Sequence, residues 1–476
     1  MSKGITKREE NFSEWYQDVI KAADLAEHAE VKGSMIIKPY GYAIWENFQR
    51  ILDEKIKATG AKNTYFPLLI PESYISREKE HIEGFSPELA VVTHAGGKKL
   101  DEPLVIRPTS ETIINAAFSR WINSWRDLPY MINQWANIVR WEMRPRLFLR
   151  TTEFLWQEGH TAHISEEAAE EESLKILNDV YKSFAEDFMA IPVVVGEKSK
   201  SEKFAGALRT YTIEALAQDG KAIQMGTSHN LGQNFAKVFD IKYKDEENND
   251  KYVWQTSWGV STRLVGGLIM VHSDDKGLVV PPKVAPIHVV LIPVWKDESN
   301  KDRIIKKAME VKKSISGLKV EFDDRENETI GNKFFEWEKK GVPVRIEIGE
   351  KELKSGKAIL VRRDNGEKQE IEFSKIPEEL PRILDCIQNA LLKKASDFKK
   401  DNTYEAENYD DFKKFIKQGG LVYADWCGDE NCEAEIKSET KATVRCIPFE
   451  NQEPKTGKCV KCGGNAKYRV IFARGY

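Results

Sequence analysis

The stretch NIVRWEMRPRLFLRTTEFLWQEGH, residues 137–160, restricts the fold of this chain more than any other. It sets Arg140, Arg144, Arg146 and Arg150 among Glu142, Glu153 and Glu158, with Trp141 and Trp156 between them. A solvated surface has no use for the tryptophans, and an apolar core does not accept the arginines. Strand alternation resolves the conflict. It places Arg140 and Glu142 on one face and Val139 and Trp141 on the other; beyond the loop RPRLFLR it aligns Phe154, Trp156, Glu158 and His160. Paired as an antiparallel hairpin, the two halves gather arginines, carboxylates, an aromatic floor and a histidine on one surface. That mixture suits a ligand site, the alternative being a surface hairpin with charged cross-strand pairs. Trp141 faces away and is expected to pack.

The 476 residues exceed what one core supports and point to about three domains. Asn11 followed by Glu14 predicts a capped helix through about Ala29, and Ile44, Trp45, Phe48, Ile51, Leu52 and Ile56 predict a second ending at Gly60. NTYFPLLIPES reads as a short buried strand, and strand patterns predominate from there to about residue 160. SEEAAEEESLKILNDVYKSFAEDFMAI reads as one long helix with Leu174, Leu177, Phe184 and Phe188 on a face. WQTSWGVSTRLVGGLIMVH is a strand running into a helix. Pro281, Pro282 and Pro286 suggest a hinge, after which the pattern becomes β-α-β-α-β to about residue 400.

The net charge of -4 argues against nucleic-acid binding by bulk electrostatics, so any such contact must be local. No stretch approaches the roughly 18 apolar residues of a membrane span and the start has no signal-like run, so a cytosolic protein is expected. In a reducing compartment, Cys427-x4-Cys432 and Cys459-x2-Cys462 read as two knuckles of a four-thiolate zinc site. Cys386 and Cys446 lack such partners and are expected to pack.

Several motifs carry a family resemblance. VRWE, an arginine-bearing loop and FLWQE resemble motif 2 of the class II aminoacyl-tRNA synthetases; TYFPLLIPES with Pro67 resembles motif 1, a dimer-interface element; STRLVGGLIMVH resembles motif 3. RPTSET (107–112), FLWQEGH (154–160), QMGTSHNLGQNF (224–235) and QTSWGVSTR (255–263) resemble the prolyl-tRNA synthetase family, most closely its archaeal and eukaryotic form. The resemblance implies an α+β catalytic domain on an antiparallel sheet over residues 1–283. An α/β anticodon-binding domain over 284–400 and a small α+β zinc-binding domain over 401–476 would follow.

The implied reaction joins L-proline to ATP, giving prolyl-adenylate, and then to the 3′ end of tRNA(Pro). By position in the motifs, Arg140 would bridge the α-phosphate and the proline carboxylate, with Arg150 and Arg263 on the other phosphates. Glu142 would accept from the adenine amine, Gln224 would help place Mg2+, and Ser261 and Thr227 would contact the nucleotide. Thr109 and Glu111 would accept from the proline ammonium, although Thr109 or Ser110 could instead cap the following helix. Trp156 beside Phe154 would wall the ring, and Glu158, His160, Thr227 and His229 would complete the pocket.

Glu338 and Arg345 are the candidates for reading anticodon guanines, against a reading as ordinary surface charges. Arg144 and Arg146 would meet the tRNA acceptor end, and the Tyr476 carboxylate would lie near the active site. No editing insertion is expected between motifs 2 and 3, which implies misactivation of alanine or cysteine. The readings weighed against this one are a class II synthetase for threonine or glycine and a synthetase-like protein without catalysis.

Overall fold

The computed structural model describes residues 4–75 and 89–476. The arginine-rich stretch is a hairpin: Tyr130–Val139 pairs antiparallel with Glu153–His163, Val139 opposite Glu153 and Tyr130 opposite Ala162. Regular pairing stops at Val139, so Arg140 and Glu142 lie just past the strand, although the Arg140 amide still donates to Thr152 O at 2.8 Å. The connecting loop folds inward, burying Leu147, Phe148 and Leu149, and the Tyr16 hydroxyl donates to Leu147 O at 2.8 Å. Trp141 does not pack as expected; it stands 48% exposed, because the strand that would have turned it inward ends two residues earlier.

Trp254–Ser261, Ala222–Gly232, Arg209–Leu216 and Val194–Glu197 extend the sheet antiparallel from the hairpin. Helix Pro39–Ala58 and helix Arg263–His272 cover one face, where Trp45, Phe48, Leu264 and Leu268 join Ile213, Met225 and Val260 in the main core. Each large apolar side chain so buried contributes about 1.5–3 kcal/mol. Gly159 lies opposite Trp258 in the ladder, and a methyl group there would overlap the indole, so this strand pair requires glycine.

The first helix ends at Ala22 rather than Ala29, because Asp24 takes a left-handed φ of 55° and the chain turns into strand Ala26–His28, paired with Met35–Ile37. NTYFPLLIPES is not one buried strand. Lys62–Asn63 joins the main sheet edge, while Leu69–Pro71 enters a small sheet with Ala90–Ala95 and Lys98–Ile106. Tyr65 is 70% and Leu69 42% exposed. The strand patterns expected over residues 76–88 lie outside the described residues. The long helix is α-helical only over Glu166–Lys175 and then widens to i→i+5 pairing over Ile176–Lys182 and Phe184–Phe188.

Residues 289–401 form a five-stranded sheet, three strands parallel and two antiparallel, packed against helix Glu298–Ser314 and helix Ile376–Asp401. The proline-rich connection is no free hinge. Pro282 and Val284 are buried, the Leu278 amide donates to Lys339 O at 3.0 Å, and Arg363 grips Asp274 through two bonds of 2.7 and 2.8 Å. Past residue 401 the chain adds strands Thr403–Ala406, Leu421–Trp426, Thr443–Pro448 and Tyr468–Ala473. They continue the main sheet, since Ile447 pairs with Glu197 and Pro448 with Gly196, making eleven strands among the described residues. Cys446 is buried here as expected, whereas Cys386 is exposed on a helix.

Candidate active site

The open face of the hairpin meets the turn that carries Pro108–Glu111. Arg107, 1% exposed, pins that turn by donating Nε to Asn137 O at 2.8 Å and Nη1 to Phe66 O at 2.5 Å. Ser110 occupies the cap position of helix Glu111–Trp121, yet its side chain caps nothing. Its Oγ donates to Glu158 Oε1 at 2.5 Å, and Thr109 Oγ1 donates to the Glu111 carboxylate. The Ser110 hydroxyl thus turns to a pocket carboxylate instead of capping the helix.

Glu158, 2% exposed, also accepts from Gln134 Nε2 at 2.5 Å and from His160 Nε2 at 3.0 Å. Burial opposes protonation of His160, yet the Glu158 hydrogen bond and the charges of Glu111 and Glu158 outweigh it and raise its pKa. His229 goes the other way. Burial lowers it to about 4, its Nδ1 pairs with Thr210 Oγ1 at 3.0 Å, and its ring lies 4.7 Å from that of Phe204. A neutral and a protonation-prone imidazole thus share one pocket.

Thr109, Glu111, Arg140, Trp156, Glu158, His160, Gln224, Thr227, His229, Ser261 and Arg263, named from sequence, all line a cavity of about 290 Å³. Glu142 and Arg150 line a second, outer one of about 170 Å³, which shares Arg140, Phe154, Ser261 and Arg263 with the first. The arginines bridging the two chambers repel each other: burial first, then Arg150 and Arg140, bring Arg263 down to about 10. Backbone oxygens hold them, Pro108 O at 2.9 Å from Arg140 Nε and Leu149 O at 3.2 Å from Arg263 Nε. A site that crowds cations this way is built for an anion. Trp156 Nε1 and Ser257 Oγ are buried without a partner among the described residues, which leaves polar groups for a ligand.

Lys198, Glu202, Lys203, Phe204, Thr210 and Trp258 also line the inner chamber and escaped the sequence reading. Trp258 stands inside QTSWGVSTR and Thr210 on strand Arg209–Leu216, whereas Lys198, Glu202, Lys203 and Phe204 lie on a stretch with no periodicity. Arg146 is not free at a loop tip either, since its guanidinium lies 5.7 Å over the Tyr476 ring, whose hydroxyl donates to Asp219 Oδ2 at 2.5 Å.

Comparison with known proteins fits this geometry. The profile described as "tRNA synthetase class II core domain (G, H, P, S and T)" matches residues 93–272, "Anticodon binding domain" matches 288–383, and "Prolyl-tRNA synthetase, C-terminal" matches 409–476. A proline–tRNA ligase of Roseiflexus sp. (strain RS-1) is 52% identical over 100% of this chain and 99% of its own length. That of Chlorobaculum tepidum is 53% identical over 100% of both, and proline–tRNA ligase 2 of Clostridioides difficile is 53% identical over 99% of this chain and 98% of its own. The chain belongs to the prolyl-tRNA synthetase family.

The class II core of a prolyl-tRNA synthetase implies ATP with Mg2+, and both chambers lie within the matched core. In the family's C-terminal unit, the sulfurs of Cys427, Cys432, Cys459 and Cys462 all lie within 4.8 Å of one another. A tetrahedral zinc with Zn–S of about 2.3 Å separates its sulfurs by roughly 3.8 Å, so the set fits that ion. In the anticodon unit, Glu338 and Arg345 share a cavity of about 130 Å³ with Lys276, Arg362, Arg363 and Lys368. Arg345 pairs there with Glu347 at 2.8 Å. Among the described residues no helix is long and apolar enough to cross a membrane.

The buried His229 predicts a pH effect. Between its folded pKa of about 4 and the ordinary 6.5, the unfolded chain binds the extra proton, so its contribution to stability is complete above pH 6.5 and falls toward pH 4. His229→Gln should therefore lose less stability than the native chain when urea midpoints at pH 6.5 and 5 are compared; equal losses would refute the neutral assignment.

Proposed function

We propose that the two chambers activate L-proline with ATP, the inner one taking the amino acid and the outer one the nucleotide, and that the prolyl group then passes to tRNA(Pro). The observation that carries this is the shared wall of Arg140, Phe154, Ser261 and Arg263, the place where an α-phosphate would meet a carboxylate. A proline carboxylate oxygen attacks the α-phosphorus, the bond to the bridging oxygen of the β-phosphate breaks, and pyrophosphate leaves with that electron pair. The carboxylate is already ionised at neutral pH, so the chain supplies alignment and positive charge, not a general base.

In this reading Arg140 holds the carboxylate and the α-phosphate, while Arg150 and Arg263 hold the remaining phosphates. Glu142 accepts from the adenine amine, and Ser261 and Thr227 contact the nucleotide. Gln224 would help place Mg2+, which would offset phosphate charge when bound. Thr109 and Glu111 receive the secondary ammonium, Trp156 closes on the ring, and Glu158, His160 and His229 shape the pocket floor. Glu338 and Arg345 read the anticodon. We assign residues 1–283, 284–400 and 401–476 to catalysis, anticodon binding and zinc binding, and the protein to the cytoplasm. A homodimer is supported by Tyr65 and Leu69, exposed on the motif 1 segment.

The test is ATP–pyrophosphate exchange driven by proline, threonine, alanine and cysteine in turn. Strong exchange with proline is expected, and no exchange with any would favour a synthetase-like protein without catalysis. Residues 161–223 are occupied by the widened helix and two strands of the main sheet. Weaker but measurable exchange with alanine is therefore expected, because a lost methylene contributes only about 1–3 kcal/mol to discrimination. That interval holds no editing unit in this reading, and clearance of alanyl-tRNA by the purified chain would contradict it.

The cysteine set predicts one zinc per chain by elemental analysis. Removal by a strong chelator should lower the melting temperature of the C-terminal unit. A chain free of zinc with unchanged melting would remove the metal from this account.

A further inference from the structure

The segment 198–204 supplies Lys198, Glu202, Lys203 and Phe204 to the wall of the inner chamber, yet it belongs to no helix, and its own strand ends at Glu197. Lys198 is held by Thr210 O and Glu214, and the turn that follows it is fixed in part from the far end of the chain. Helix Glu430–Thr440, which carries Cys432 of the thiolate cluster, presents Glu433 to it, 3% exposed. Glu433 Oε1 accepts from Ser199 Oγ at 2.9 Å and Oε2 from Ser201 Oγ at 2.5 Å. One turn on, Lys437 Nζ reaches Glu202 Oε1 at 3.2 Å. At the other end of the segment the Phe204 amide donates to Thr210 Oγ1 at 3.0 Å, the atom that pairs with His229.

We propose that Glu433 is a positioning residue for the amino-acid pocket. Its two carboxylate oxygens clamp Ser199 and Ser201, so that the zinc-knuckle helix sets the place of Phe204 against His229. A carboxylate suits the task because both partners are donors and each oxygen takes one; a glutamine keeps one acceptor and faces the other serine with a donor. Charge-assisted bonds of this kind hold a loop more firmly than neutral ones. Glu433 touches no reacting atom, so its effect falls on pocket shape. The nucleotide chamber has no wall from this segment and should not sense the change.

This inference rests on the proline-activating reading of the same cavity. The experiment compares native chain, Glu433→Gln, Glu433→Ala and the double variant Ser199→Ala/Ser201→Ala in ATP–pyrophosphate exchange, with zinc content and melting temperature measured alongside. KM for proline is expected to rise about 10-fold in Glu433→Ala and in the serine double variant. A smaller rise is expected in Glu433→Gln, with KM for ATP and kcat within about twofold of native throughout. If Glu433→Ala loses zinc or melts early, the serine variant, which leaves the knuckle intact, decides. An unchanged KM for proline in the serine variant, or a rise matched by KM for ATP, overturns the proposal. Native chain inactive with proline would instead defeat the reading of the cavity itself.

Discussion

Arg140→Ala should lower kcat for proline-dependent ATP–pyrophosphate exchange by about 10²- to 10³-fold, the usual effect of removing one preorganised donor aimed at developing charge. Arg140 is the residue for which position and chemistry coincide. It lines both chambers, its Nε is anchored on Pro108 O at 2.9 Å, and its guanidinium lies 5.7 Å over both the Phe154 and Trp156 rings. The rings and the carbonyl fix the fork before a ligand arrives, so little reorganisation remains when charge spreads over the α-phosphate. The mutual repulsion that lowers Arg263 is relieved by an anion among the cations, which is why the loss should appear in the transition state more than in stability. Arg140→Lys retains the charge without the bidentate plane and should fall between the two. Single-turnover adenylate formation measures this step directly, and a near-native rate for Arg140→Ala would remove Arg140 from the phosphate-bridging role.

The lining of the cavity was more legible than the element boundaries around it, and the reason is physical. Arg140, Glu158 and His160 lie on or next to one hairpin, where a period of two assigns faces without knowledge of anything distant. Ser110 illustrates the limit of local reading. Its position before a helix signals a cap, and only the cross-strand approach of Glu158 at 2.5 Å turns its hydroxyl away. Lys198 and Phe204 were illegible because segment 198–204 is placed by Ser199 and Ser201 bonding to Glu433, more than two hundred residues later. The proline-rich connection misled in the same way: Pro281 and Pro282 do break regular structure, but the Arg363 grip on Asp274 turns a breaker into a fastened joint. No local pattern announces the pairing of Ile447 with Glu197, which joins a strand of the C-terminal unit to the main sheet.

That join rests on a buried charge, Glu214. Glu214, its side chain 1% exposed, accepts from Lys198 Nζ at 2.7 Å and from Arg445 Nε and Nη2 at 3.0 and 2.8 Å, so one carboxylate pairs with a cation from each side of the strand junction. Burial alone would raise its pKa, but Arg445 and then Lys198 outweigh that and hold the carboxyl below its ordinary value. Its contribution to stability is therefore present above the unfolded carboxyl pKa and lost as pH falls through the folded one. Glu214→Ala leaves two buried cations facing each other and should cost on the order of 3–5 kcal/mol, read from urea unfolding at pH 7. Because Arg445 belongs to the strand that docks the C-terminal unit, the loss should appear as earlier unfolding of that unit, visible in hydrogen exchange of strand Thr443–Pro448. Removing all three charges together, as Glu214→Leu with Lys198→Met and Arg445→Met, should recover most of the stability, since the cost lies in the unpaired charges and not in the missing attraction. Unfolding within about 1 kcal/mol of native would show that water, not Glu214, satisfies the two cations.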